Sequence, residues 1–342
     1  MKALVLTAYK RLEIQELPRP EPGPGELRVR VRACGICGSD VHGWDGSSGR
    51  RVPPLVMGHE AAGEVEAVGS GVAAFSAGDR VTFDSTIHCG ACAFCRAGQA
   101  NLCDNRRVVG VAPGEYRQDG AFAEAVVVPE RIVCRVPDAV PFEHAAMVEP
   151  LSVAVHAVRR ARLAAGDQAL VVGCGMIGLL TLQVAKASGA ARVIAVDLDR
   201  DRLAQAARLG ADVTLGADSD VPARVFELTA GRGADVAFEA VGASAPIGTA
   251  VRGLRKGGTL VLIGNVTPRV EVDLQAIVTR ELSLLGTCAS NGEYPEALDL
   301  LARGAVRLDG LITRVAPLEE GPAWFERLHA REPGLMKVIL KP

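Results

Sequence analysis

Cys37, His59 and Glu60 offer a thiolate, an imidazole and a carboxylate, three side-chain types that hold Zn²⁺. Such a metal with one position open can bind a substrate oxygen. An alcohol there loses its proton near neutral pH, and the alkoxide readily expels hydride from its own carbon. A nicotinamide ring would accept that hydride. Spacing alone secures none of the three. Cys34 and Cys37 also form C-x-x-C, which admits a redox reading, and a lone His59 also suits a satisfied core position.

About 30 residues further on, Cys89, Cys92, Cys95 and Cys103 follow the spacing C-x2-C-x2-C-x7-C. Four thiolates this close can form a tetrahedral shell that suits Zn²⁺ and leaves no position for a substrate, so this metal would be structural. Two disulfides are the competing reading. The opening MKALVLTAYKRLEIQE has interspersed charge and no apolar signal core, so a reducing cytoplasm is expected and metal is favoured. The zinc would hold a lobe of roughly 85–110 that lacks a core of its own.

Val171-Val172-Gly173-Cys174-Gly175-Met176-Ile177-Gly178 reads as strand, tight turn and helix start, with the pattern G-x-G-x-x-G. Gly173 permits the turn, Gly175 lets a pyrophosphate approach the backbone, and Gly178 lets the helix pack on the strand. The next strand ends at Asp197, where an acid accepts from both ribose hydroxyls and repels a 2′-phosphate. That favours NAD over NADP. Arg200 and Arg202 nearby could hold such a phosphate, but Arg202 suits the adenine edge better.

These groups need positioning elements. Residues 1–35 read as short strands (Leu4–Leu6, Leu12–Ile14, Leu27–Val31), and Ala61–Val68, Arg80–Phe83 and Ala123–Val128 continue them: a compact, barrel-like β domain. From Leu151–Leu163, a helix, the pattern becomes alternating strand and helix. Strands are expected at Ala169–Val172, Arg192–Asp197, Val213–Leu215, Asp235–Glu239, Thr259–Ile263 and Leu282–Leu285. Helices are expected at Ile177–Ser188 and Arg200–Leu209. This is the mark of a doubly wound parallel sheet. A helix at Tyr294–Ala302 and a strand at Lys337–Leu340 close the chain, the latter able to return to the first domain. Among 342 residues, 38 basic and 40 acidic ones are well mixed, which leaves no basic stripe for nucleic acid. No run of apolar residues is long enough to span a membrane.

The sequence resembles the zinc-containing medium-chain dehydrogenases, in the branch of sorbitol (L-iditol) and related polyol dehydrogenases. The carriers are CGICGSDVH (34–42), GHEAAG (58–63), the four-cysteine lobe (89–103), DGAFAE (119–124), EPLSV (149–153) and GCGMIG (173–178), with the stretch ending at Asp197. The resemblance implies an α/β architecture: a GroES-like β-rich catalytic domain over 1–150 and 287–342, and a Rossmann domain over 151–286. It implies two zincs per chain, NAD, a small polyol, sugar or cyclitol alcohol as substrate, and a homotetramer or homodimer with sheets pairing near Leu282–Leu285.

The resemblance also assigns roles. Cys37 and His59 would hold the catalytic zinc. Glu60 and Glu149 would join them directly or through water, Glu149 standing where alcohol dehydrogenases place another cysteine. Ser39 and His42 match a relay that carries the substrate's proton outward through the nicotinamide ribose. Ile177 would contact the pyrophosphate or ribose, and Val241 the adenine or ribose. Ile263, Gly264 and Asn265 would lie near the nicotinamide, and Thr287 and Cys288 would border its carboxamide. Two stretches depart from the pattern. Ala289-Ser290-Asn291-Gly292 replaces an arginine–tyrosine pair, and Gly43–Gly49 differs after the relay; both are expected to face the substrate, so sorbitol itself is in question. Trp44 could wall the pocket or simply pack. Other readings are a threonine-type aminoalcohol dehydrogenase, a dehydrogenase of an alcohol on an antibiotic sugar precursor, and a zinc-free, non-catalytic relative.

Overall fold

A computed structural model describes residues 1–342 in full. The chain divides into two compact units. One comprises Met1–Glu149, Ser290–Ala302 and Leu308–Pro342; the other comprises Pro150–Ala289 and Arg303–Arg307.

The first unit is built on strands. Its larger sheet runs Val133–Arg135, Arg80–Phe83, Glu60–Val68, Glu26–Gly35, Lys337–Lys341, Ile312–Pro317, with Ala125–Pro129 also paired to Glu26–Gly35. Alternation along Glu26–Gly35 buries Leu27, Val29, Val31 and Ala33. The intervening arginines face out and meet acids of the neighbouring strand. Arg28 and Arg30, with Arg19, converge on Glu66, while Arg32 holds Glu64. The hydrogen bond from Arg19, aided by Arg28 and Arg30, holds the Glu66 carboxyl down at about 2. Phe83, Phe122, Phe325, Leu4, Leu6 and Leu55 fill the core.

The second unit is a six-stranded sheet, all parallel, in the order Val213–Gly216, Arg192–Asp197, Gln168–Val172, Ala234–Glu239, Leu254–Leu262, Ser283–Gly286. The chain reverses its direction of winding between Gln168–Val172 and Ala234–Glu239, so a crevice opens at the C-terminal ends of those strands. Gln183, buried in the helix Met176–Ala187, donates to Arg307 O at 3.1 Å and accepts from Arg307 N at 2.8 Å. This pair ties Arg303–Arg307 to the nucleotide turn's own helix.

Several elements differ from the sequence expectation. The helix expected from Leu151 begins at Val148, because Pro150 costs nothing in a first turn where its missing N–H would have no partner. The strand expected at Thr259 begins at Leu254 and carries Gly257-Gly258 through an irregularity in register. Helices Val221–Leu228, Ser244–Gly253 and Gly321–His329 form although each has a proline in its first turns.

Candidate functional site

Sheet register brings the metal-binding candidates together. The strands Glu26–Gly35 and Glu60–Val68 are antiparallel, with Gly35 opposite Glu60 and Cys34 opposite Ala61. Cys37 therefore leaves one strand where His59 and Glu60 enter the other. Glycines make the space. A Cβ at Gly35 would stand 2.2 Å from Glu60 Oε2, and Gly58, at φ +96°, passes within 2.8 Å of Phe122 N as judged from its missing Cβ. The donor atoms of Cys37, His59 and Glu60 lie within 4.8 Å of one another.

These residues fit a metal. His59 is buried, and its Nδ1 lies 3.3 Å from Asp40 Oδ1, which leaves Nε2 as the donor. Asp40 is wholly buried. Burial alone would raise its pKa, but His59 and Arg51 outweigh that and hold it down at about 2. Asp40 Oδ2 also accepts from Cys37 N at 3.1 Å. One carboxylate thus faces the imidazole at ion-pair distance and holds the thiol-bearing turn by a hydrogen bond. Burial opposes a charge on His59, yet Asp40 raises its affinity for a proton well above normal.

Glu60 sits differently from a simple ligand. Lys337, 3% exposed, donates to Glu60 Oε1 at 2.8 Å, to Oε2 at 2.6 Å and to Ile36 O at 3.1 Å. Both carboxylate oxygens carry an ammonium partner and keep only their remaining lone pairs for a metal. Glu149 lies outside the close group of three. It accepts from Ser85 Oγ at 3.2 Å, and burial, opposed by His59 and reinforced by Glu60 and Asp84, pushes it up to about 7.

Ser39 and His42 occupy the short helix Gly38–Trp44, which starts at Cys37, and both side chains are exposed. His42 Nδ1 is 3.3 Å from Ser47 Oγ. Trp44 packs: it is buried against Phe325 and His329, ring centroids 6.4 and 5.2 Å away. The pocket-wall alternative is therefore set aside. In the departing segment, Ser290 donates to Asp84 Oδ2 at 3.1 Å and Asn291 Nδ2 to Gly98 O at 2.7 Å. The second bond anchors it on the four-cysteine lobe.

In that lobe the sulfurs of Cys89, Cys92, Cys95 and Cys103 lie within 4.8 Å of one another, and they form no disulfide. Backbone amides point at sulfur: Ala91 N and Cys92 N reach Cys89 Sγ at 3.4 Å, and Cys103 Sγ receives Cys89 N at 3.3 Å. The amides of Ala91 and Cys92 lower the Cys89 pKa to about 6, which favours the thiolate a metal needs.

The nucleotide candidates gather at the crevice of the second unit. Gly173 has φ +97°, and its Cβ would strike Val241 Cγ2 at 2.6 Å; a Cβ at Gly178 would strike Gly173 O at 1.8 Å. Gly175 faces open space, and as N-cap of Met176–Ala187 it offers no side chain, so the helix amides remain for an anion. Asp197 ends its strand beside this turn, accepting from Cys174 N at 2.6 Å and Asp199 N at 2.9 Å. Arg202 pairs with Asp199. Ile263 and Gly264 both donate from N to Glu239 O. Thr287 Oγ1 is buried with no protein partner, a donor and acceptor left for a ligand such as a carboxamide. Asn265 and Cys288 are exposed.

Sequence reasoning misses Asp40, Arg51 and Lys337. Asp40 carries a readable signal, an acid at the third position of a turn opened by Cys37. Nothing local marks the other two.

Residues 23–138 match the alcohol dehydrogenase GroES-like domain, and residues 177–303 match the zinc-binding dehydrogenase family. Sorbitol dehydrogenase of Bacillus subtilis (strain 168) is 34% identical over 347 residues, spanning 100% of this chain and 97% of its own. L-idonate 5-dehydrogenase of Vitis vinifera is 38% identical across 90% of this chain and 85% of its own. A solved structure from Sinorhizobium meliloti 1021, described as that of a zinc-binding dehydrogenase and bound to NADP, superposes with a TM-score of 0.91. It shares 35% identity and covers 100% and 99% of the two chains.

Proposed function

We propose, from the premise that the chain belongs to the zinc-containing medium-chain dehydrogenases, that it oxidises a secondary alcohol of a polyol, sugar or cyclitol with NAD. The observation that carries this is the Cys37–His59–Glu60 group, its donor atoms within 4.8 Å and its imidazole 3.3 Å from a buried carboxylate. The polyol class is supported by Glu149 standing in place of a cysteine and by relatives named for sorbitol and L-idonate.

Cys37 and His59, with Glu60 and Glu149, would hold one zinc, and Cys89, Cys92, Cys95 and Cys103 a second. Zinc, when bound, supplies Lewis acidity to the alcohol oxygen, and nicotinamide, when bound, takes the hydride. The chain's own task is the proton. Ser39 Oγ accepts it and hands its own proton outward. His42, exposed and steadied by Ser47, passes it to water. Asp197 keeps lone pairs free for the ribose hydroxyls and opposes a 2′-phosphate.

Self-association, as a homotetramer or a homodimer, is supported by the unpaired outer edge of the strand Ser283–Gly286 and by exposed Val266, Leu274 and Val278 in the preceding segment. No helix is long and apolar enough to cross a membrane, and cytoplasmic residence agrees with a four-cysteine cluster that needs reduced thiols to hold a metal. The test is a panel of polyols, sugar alcohols and aminoalcohols, with initial rates measured for NAD and NADP side by side. Turnover confined to an aminoalcohol, or to NADP, overturns the corresponding part of this reading.

A further inference from the structure

The buried guanidinium of Arg51 sits at the hub of the candidate site. Its side chain is 5% exposed and that of Asp40 is not exposed at all. A single nitrogen, Nη2, donates to Asp40 Oδ1 at 3.0 Å and to Ser39 Oγ at 3.0 Å. Asp40 in turn faces His59 Nδ1 at 3.3 Å and accepts from Cys37 N at 3.1 Å. The fold makes room for this: a Cβ on Gly43 would lie 1.8 Å from Arg51 Cδ, so the side chain threads past a residue that must be glycine. The segment that carries Arg51 is itself fixed, because Arg51 bridges to Ala112 and Val52 N donates to Ala112 O at 2.9 Å.

We propose that Arg51 is a positioning residue that locks the Ser39 hydroxyl into the one orientation a proton relay can use, and ties that orientation to the carboxylate that holds the metal-site histidine. This rests on the relay reading of Ser39. A serine hydroxyl has one hydrogen and two lone pairs. The Arg51 N–H takes one lone pair. What remains is one acceptor for the substrate's hydroxyl proton and one donor for the outward step. The hydroxyl's competing arrangement, donation to an inward acceptor, has no partner because guanidinium carries donors only. The fixed positive charge also stabilises the Ser39 oxygen as its proton leaves. Lysine is a poor substitute. It carries the charge, but its ammonium sits on a shorter stem and rotates freely, so no N–H is held in place towards both Ser39 Oγ and Asp40 Oδ1.

The experiment is a double-mutant cycle on the zinc-loaded enzyme, using Ser39→Ala, Arg51→Lys and the pair, with kcat, KM, the solvent isotope effect on kcat and retention of zinc against a chelator. Arg51→Lys is expected to lower kcat about tenfold, leave KM within about twofold, and raise the solvent isotope effect. In the Ser39→Ala background the same change should cost nearly nothing, since the hydroxyl it orients is gone. Loss of zinc to the chelator should quicken about tenfold through the Asp40–His59 arm. If Ser39→Ala leaves kcat unchanged, the relay reading itself fails. If Ser39→Ala slows turnover while Arg51→Lys does not, or if the two effects multiply independently, the role given to Arg51 is overturned. Should Arg51→Lys not fold, Arg51→Gln reads the same coupling: its amide NH₂ can still donate, without the charge.

Discussion

Lys337 Nζ grips both carboxylate oxygens of Glu60, at 2.8 and 2.6 Å, with both side chains under 5% exposed. The pair is self-neutralising in a place where neither charge could stand alone. Lys337→Met strands Glu60 as a buried anion and should cost about 3–5 kcal/mol of unfolding free energy in urea denaturation. Lys337→Arg should recover most of it. An unaltered midpoint in Lys337→Met would show that the pair contributes nothing to folding.

The two candidate metal groups should separate under mutation. Cys95→Ser should lower the zinc content by one equivalent and the melting temperature with it, and activity should fall only as the lobe loosens. Zinc analysis beside a thermal melt reads both. The bond from Asn291 to Gly98 O makes this lobe a support for segment 290–292, so KM should rise before kcat falls.

Cys37→Ser is expected to behave oppositely. Turnover should fall by at least about a thousandfold, since a serine oxygen is a much poorer zinc donor than thiolate. The melt should stay near that of the parent, because Cys37 is only partly buried. Normal turnover in a Cys37→Ser protein with one zinc would refute the assignment.

Asp197→Ser removes the carboxylate that guards the ribose. The ratio of kcat/KM for NAD over NADP should drop by about a hundredfold or more, since the nearby cations Arg200 and Arg202 would then face a 2′-phosphate unopposed by the Asp197 carboxylate. Steady-state kinetics with the two cofactors measures it.

Glu66 predicts an acid limb in stability. Its three arginines depress its pKa from 4.5 to about 2, so its contribution is whole above pH 4.5 and fades as pH falls from there towards 2. After allowance for solvent screening, Glu66→Gln should cost about 1–2 kcal/mol at pH 7 and close to nothing near pH 2. Denaturation of both proteins across that range gives the curve.

Much of the site is legible in the sequence because its chemistry is local. Four cysteines in fifteen residues, and three glycines at fixed intervals between a strand and a helix, keep their meaning without a fold. Cys37 and Glu60 are legible as types, and only register makes them neighbours. Lys337 is not legible at all: it lies 277 residues from Glu60 and reads as the first residue of an apolar strand. Arg51 looks like one of many arginines until Gly43 is seen to clear its path. Trp44 admits two readings because its partners, Phe325 and His329, are remote in the chain. The helix Ser244–Gly253 hides behind Pro246 and Gly248, residues whose propensities tertiary packing overrides.

The strand Lys337–Lys341, placed against Glu26–Gly35 with Ile339 opposite Gly35, sets a timetable for biosynthesis. Lys337 is made 301 residues after Ile36, the backbone it must reach, which is roughly half a minute of translation at about 10 residues per second. Through that interval Glu60 has no ammonium to enter a core with, and the nascent sheet keeps an open margin beside Cys34 and Gly35. The first 149 residues emerge early, but the metal site they carry matures late. A ribosome that stalls before residue 337 leaves a thiol, an imidazole and an unneutralised carboxylate near an unfinished sheet, a species for chaperones to hold rather than an enzyme lacking one strand.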